Sequence, residues 1–201
     1  MTDTNSKDSA PPAIRGTTRE RLIDAMIRVV GSQGLQSASV RTIAREAGCN
    51  EAVLYQHFPG KIAMQQAIFS EIMSEMATEK KALAERMTDT RELIDGWVMA
   101  TYEFYDRKPF AFAYVYLSYP PIGPEDAAVP GPNTKIFSET MNRLPAPNGW
   151  TTEFNETTFS LFKAAILAIP RAIHSGLIDG RAMDYYESSR GPLSRILLVE
   201  A

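Results

Sequence analysis

Apolar residues recur along most of this chain at spacings of three and four, the period of an amphipathic helix. Clean two-residue alternation is scarce. Leu22, Ile23, Met26, Ile27 and Val30 form one such face. Thr17 and Glu20 before them fit a capping box, and Gly34 ends the helix. Ser39 suits the N-cap of a short second helix with Val40, Ile43, Ala44 and Ala47 inward and Gly48 as its stop. Asn50 suits the cap of a third, which runs to Phe58 and halts at Pro59-Gly60. A long helix is predicted from Lys61 to about Met87.

The second half reads the same way. Asp89 and Glu92 open a helix that carries Leu93, Trp97, Ala100, Thr101 and Phe104 on one side. Pro109 starts an aromatic helix to about Tyr119. Residues 118–134, rich in proline and glycine, predict a long loop. Ile136–Leu144 predicts a short helix, and Thr152–Ser175 a long apolar one kinked at Pro170. Residues 181–199 predict a last helix interrupted at Gly191-Pro192. The predicted fold class is all-α.

Charge divides this helical chain into parts. The whole carries a formal net charge of -3 over 201 residues. From Arg15 to Lys61, however, seven cations face four anions, for a net of +3, whereas residues 62–201 carry 13 cations and 18 anions. The only net-positive stretch is therefore a short N-terminal module on an acidic body. The predicted boundaries are a disordered polar tail over 1–16, a helix-turn-helix module over 17–61, and a helical body over 62–201.

Candidate chemistry is narrow. With one cysteine, Cys49, the chain forms no internal disulfide. No apolar run approaches the ~18–20 residues of a membrane span, and the N-terminus has no apolar signal region, so a cytoplasmic location without membrane contact is expected. There are only two histidines, His57 and His174, in no metal-ligand pattern. No phosphate-cradling glycine loop occurs, and Asp95 and Glu103 do not face one another on one helix turn. The expectation is no enzyme, no catalytic residue, no metal and no cofactor.

The two short helices, Val40–Ala47 and Glu51–Phe58, form a helix-turn-helix. The second is anchored by Val53, Leu54 and Phe58 and turns Glu51, Ala52, Tyr55, Gln56 and His57 outward or sideways. The run SVRTIAREAGCNEAVLYQHFPGKIAMQQAI resembles the DNA-binding signature of TetR-type transcriptional regulators. The match lies at Ser39-Val40, Ile43-Ala44, Ala47-Gly48, Leu54-Tyr55, His57-Phe58 and Lys61.

The resemblance implies an N-terminal DNA-binding module followed by a ligand-binding and dimerisation domain. It implies that Glu51–Phe58 enters the major groove, with Tyr55, His57 and Lys61 on phosphates. Ser39 and the helix N-terminal amides suit the same role. Arg41, Thr42, Asn50, Ala52 and Gln56 are the candidates for base edges. Glu51 departs from the small, polar or basic residue common at its position, and a helix-end role fits it better than a base contact. The resemblance further implies a homodimer through the last two helices on a palindromic operator.

The body has no signature of its own, but it is dense in aromatics. A concave lining for an apolar or aromatic effector would draw on Trp97, Thr101, Phe104, Tyr116, Met141, Phe159 and His174. The resulting expectation is a repressor released from its operator by a small ligand. The alternative is a DNA-binding regulator controlled by a protein partner, with the 118–134 loop as a contact.

Overall fold

The computed structural model describes residues 16–118 and 131–201. Apart from Gly16, the tail expected over 1–16 lies outside the described residues, as does most of the 118–134 loop.

The basic module is three helices, α1 (Thr18–Gln33), α2 (Val40–Glu46) and α3 (Glu51–His57), and each begins at a side-chain cap. Thr17 and Glu20 exchange both capping-box bonds. Ser39 Oγ accepts from the Thr42 amide at 3.0 Å, and Asn50 Oδ1 from the Val53 amide at 3.1 Å. Such caps each stabilise a helix end by ~1 kcal/mol, a large share for helices of seven residues. The faces of α1 and α2 meet through Leu22, Met26, Val29, Ile43 and Ala47 in one continuous core. An exposed ion pair between Arg28 Nε and Glu46 Oε1 at 3.2 Å bridges the same two helices.

The body follows. Helix α4 (Lys61–Ala84) leaves the module and runs along α5 (Thr90–Arg107) and α7 (Pro132–Arg143). Helix α6 (Pro109–Phe112) continues into a widened π turn, Ala113–Leu117. Ion pairs from Arg107 to Glu79 and from Lys108 to Glu75, each 2.6 Å, tie the end of α5 to α4. Helices α8 (Glu156–Ile166), α9 (Ala168–His174) and α10 (Tyr186–Ser194) close the far side. Two carboxylates of α5 hold the C-terminal segment. Asp106 accepts from the amides of Ala182 and Met183 at 2.7 and 3.0 Å. Asp95 accepts from Arg190 and Ser194 at 3.1 and 2.9 Å.

The architecture is the predicted all-α one, with differences in detail. The helix expected over Thr152–Ser175 is two helices broken at Leu167. The break precedes Pro170 by three residues because proline lacks the N–H that would bond back one turn, and its ring crowds that carbonyl. Residues Trp150–Thr152 are a strand (β1) instead of a helix start, and α8 begins later, at the Asn155 cap. The last helix ends at Ser194, and Leu198–Glu200 (β2) pairs antiparallel with β1, Trp150 opposite Glu200. Helix α7 starts four residues before the expected position, at Pro132, whose fixed φ suits a first helical turn.

Module and body are not strung loosely together. Helix α1 packs on α6, and Gly31 makes this possible. A Cβ there would meet the backbone of Phe110 at 2.8–2.9 Å. Gly31→Ala is expected to lower stability by about 1–2 kcal/mol in urea unfolding, because overpacking against backbone exceeds alanine's helix preference. A more stable variant would show that the contact relaxes freely.

Candidate nucleic-acid interface and body cavity

Helix α3 has a single fully buried side chain, Leu54, and a half-buried Val53 beside it. Phe58, just past its end, is buried too, with the Arg19 guanidinium 5.3 Å from its ring centre. Every other side chain of the helix faces water: Glu51, Ala52, Tyr55, Gln56 and His57. Tyr55 is 57% exposed, unusual for an aromatic residue on a helix this short. Helix α3 therefore stands on a narrow apolar foot and presents a polar face, the form a groove-entering helix requires.

The remaining candidates border this face. Arg41 is exposed on α2 and Thr42 is half-buried. Lys61 opens α4 and is half-buried, beside Pro59 and Gly60. Ser39 and Asn50 are exposed, but their oxygens are committed to capping. What Asn50 retains for a base or phosphate is its amide N–H donors. Glu51 sits in the first turn of α3, where its charge favours the helix end, and it forms no ion pair among the described residues. Sequence reasoning missed Arg45, which is exposed and lines the same shallow depression as Arg41, Asn50 and Glu51. Its position one turn beyond Arg41 was the available signal.

A family model described as bacterial regulatory proteins, tetR family, matches residues 22–68, which span all three helices of this module. Over this module the chain is similar to the TetR family. The nicotine-responsive transcriptional repressor HdnoR of Paenarthrobacter nicotinovorans is 35% identical over 75 residues. That stretch is 37% of this chain and 39% of the relative, so the match spans about two fifths of that protein's length. The fold likeness extends much further. A tetR family transcription regulator from Shewanella sp. PV-4 superposes with a TM-score of 0.69 at 20% identity, covering 92% of this chain and all of that one. FadR from Bacillus subtilis, solved in complex with stearoyl-CoA, superposes with a TM-score of 0.66 at 13% identity, covering 87% and 96%. The module that the family model matches thus sits on a body with the fold of these solved structures.

That body contains a cavity of about 180 Å³ between α4, α5, the π turn, α7 and α8. Four of the seven residues proposed for a ligand lining are in its wall: Trp97, Thr101, Tyr116 and Phe159. The other three are elsewhere. Phe104 and Met141 are buried core, and His174 is half-buried on α9. Phe137 organises the wall. Its ring stacks on Phe159 and Phe162 at 5.4 and 5.3 Å and meets Trp97 edge-on at 4.9 Å.

The residue that sequence reasoning missed here is Lys80. It is 4% exposed and lines the cavity. Its Nζ donates to Thr101 Oγ1 at 3.0 Å and lies 4.4 Å from the Trp97 ring centre. Burial pulls its pKa from 10.5 down to about 7, against a smaller opposing pull from Glu79. Burial likewise pushes the Tyr116 hydroxyl up, partly offset by its hydrogen bond with Asn133.

A second, wider cleft of about 420 Å³ lies where α1, α4 and α6 meet. Asp24, Arg28, Glu71, Glu75, Arg107 and Lys108 line it. Its charges are of both signs, and Lys108 and Glu75 pair with one another. Ile23, Ile27, Ile68, Ile72 and Phe110 also line it, but six charged side chains are more than the few polar anchors of a typical small-molecule site. Among the described residues no helix is long and apolar enough to cross a membrane, and no group of three or more His, Cys, Asp or Glu could hold a metal ion.

Proposed function

We propose that the chain is a dimeric, sequence-specific DNA-binding transcriptional regulator. In this reading it is a repressor released from a palindromic operator by a small apolar or aromatic ligand. Residues 17–61 are the DNA-binding unit and 62–201 the regulatory one. The observation that carries the reading is the α3 surface, five outward positions on either side of Val53 and the buried Leu54. Tyr55, His57 and Lys61, with Ser39 beside them, fix the helix on phosphates. Arg41, Thr42, Asn50, Ala52 and Gln56 meet base edges.

A seven-residue helix reads few bases, so useful specificity needs a second copy. The last helices supply a face for it. Leu161 is 57% and Leu177 79% exposed, and Ala164 and Ala168 lie open between them. Exposed apolar side chains grouped on these segments suit association of two subunits.

Regulation follows from the connection between the two sites. Helix α4 carries Lys61 at one end and Lys80 near the other, roughly 28 Å apart at 1.5 Å per residue. Tyr114, from the π turn, donates to the Gln65 carbonyl at 3.2 Å and fixes α4 on that side. A ligand in the cavity that favours one setting of α4 shifts the spacing of two recognition helices, a coupling between sites in the strict sense. At about 180 Å³ the cavity suits one ring; it lies well below the ~300 Å³ lower end for drug-sized ligands.

The test of the DNA surface is salt dependence. On a fluorescent duplex of mixed sequence, Lys61→Ala is expected to flatten the slope of log affinity against log salt by about 0.9 per subunit, one phosphate contact. Gln56→Ala is expected to leave that slope unchanged. An unchanged slope for Lys61→Ala would remove that residue from the phosphate set.

A further inference from the structure

We propose that the body cavity takes a small aromatic carboxylate, whose carboxylate group accepts a hydrogen bond from the Lys80 ammonium. This deepens the reading of the cavity as the effector site and rests on it.

The cavity wall holds an unbalanced buried charge. Buried ammonium groups are ordinarily paired with a carboxylate. Lys80 is in no ion pair among the described residues. One of its three hydrogens goes to Thr101 Oγ1, which itself donates to the Trp97 carbonyl at 2.7 Å. The other two have no protein acceptor among the described residues. The charged and titratable groups around it do not fill the gap. Glu79, on its own helix, is exposed and paired with Arg107. Helices α5 and α7 contribute no ionisable side chain to the cavity, the π turn contributes Tyr116, and α8 contributes Lys163. Lys163 is exposed, 4.8 Å from the Phe159 ring centre. Among the described residues two cations and no acid therefore line a cavity rich in aromatic rings, and the complementary ligand is an anion.

Shape and the remaining polar atoms narrow the class. An apolar cavity of about 150 Å³ holds a benzene ring, so about 180 Å³ holds one ring and a carboxylate. The wall is aromatic, with Trp97 and Phe159 among its rings, and favours an aromatic ligand over an aliphatic acid. Asn133, 6% exposed, donates to the Tyr116 hydroxyl at 3.3 Å, yet its Oδ1 has no partner among the described residues. A buried acceptor left open in a ligand-sized cavity calls for a donor on the ligand. A ring hydroxyl supplies it, so hydroxylated aromatic carboxylates are expected to bind better than plain ones.

The experiment is calorimetry on the full-length protein at pH 6.5 with benzoate, 4-hydroxybenzoate, benzamide and benzylamine. Benzoate is expected to bind at least tenfold tighter than benzamide, 4-hydroxybenzoate tighter still, and benzylamine without measurable heat. Lys80→Met is expected to keep benzamide binding and to lose benzoate affinity at least tenfold. Benzoate affinity is also expected to fall more than about tenfold between pH 6 and 8.5, as the ammonium loses its proton.

Benzamide binding as tight as benzoate overturns the carboxylate assignment and keeps the cavity as a ligand site. No binding by any of the four overturns both. The wild-type comparison stands even if the variant fails to fold. Benzoate that binds without changing affinity for DNA keeps the anion site and overturns its role as an effector site.

Discussion

Lys80→Met is expected to stabilise the protein substantially at pH 6. The native pKa of about 7 lies below the 10.5 of the unfolded chain, so the unfolded state holds more protons between those values. Stability then rises with pH across that window. The penalty of burying the charge is fully present below pH 7, shrinks from pH 7 to 10.5 and is absent above. At about 1.4 kcal/mol per pKa unit its upper bound is ~5 kcal/mol. Methionine keeps the length and apolar stem, and it removes the bond to Thr101, which contributes ~1 kcal/mol. The expected gain is therefore about 2–4 kcal/mol at pH 6, falling to within about 1 kcal/mol of zero at pH 10. Denaturant unfolding of both proteins at the two pH values measures it. A gain that does not depend on pH would mean that Lys80 is not held as a strained ammonium. A loss at pH 6 would mean that a countercharge is present. A buried lysine that costs stability is the pattern expected where a site is kept for binding at the expense of the fold.

The module was the more legible half because its information is local. Caps, short apolar faces and glycine stops occupy neighbouring positions. Ser39, Asn50 and Thr17 therefore marked helix starts from sequence alone, and the structure has a hydrogen bond at each. The α3 surface was readable for the same reason, since a seven-residue helix with one obligatory inward leucine leaves little choice about the rest.

The body was legible as helices but not as a cavity. Trp97, Thr101, Tyr116 and Phe159 come together only through the packing of three separate elements, and Phe104 and Met141 share their composition while sitting in solid core. Lys80 carried a signal that a residue-type reading overlooks. It lies four positions after Met76 and three before Leu83, on the buried face of α4. A lysine in phase with a core stripe is out of place, and the period could have flagged it. The β1–β2 pair was beyond reach, because three-residue strands show no period and their partners are far apart in sequence. The break at Leu167 was displaced from the expected kink because proline acts on the turn before it.

The loss of operator recognition in Tyr55→Ala is the second large effect expected. Tyr55 is an exposed large hydrophobic side chain on α3 and is not part of the core cluster. Its removal therefore acts on DNA and not on folding. Specific sites are typically bound at least ~10³-fold tighter than random DNA, and two subunits each lose a contact that sets the helix in the groove. The variant is expected to unfold at the wild-type denaturant concentration while losing most of that discrimination. Gln56→Ala, in contrast, is expected to relax preference at one base position per half-site.

Selection of bound sequences from a random duplex pool, with wild-type protein and Tyr55→Ala in parallel, decides whether α3 reads DNA as part of a dimer. The wild type is expected to recover a palindromic site with half-sites one helical turn apart, about 34–36 Å, or a multiple of it. The variant is expected to enrich no sequence. An enriched site without two-fold symmetry would contradict the dimer, and equal enrichment by Tyr55→Ala would contradict α3 as the reading surface.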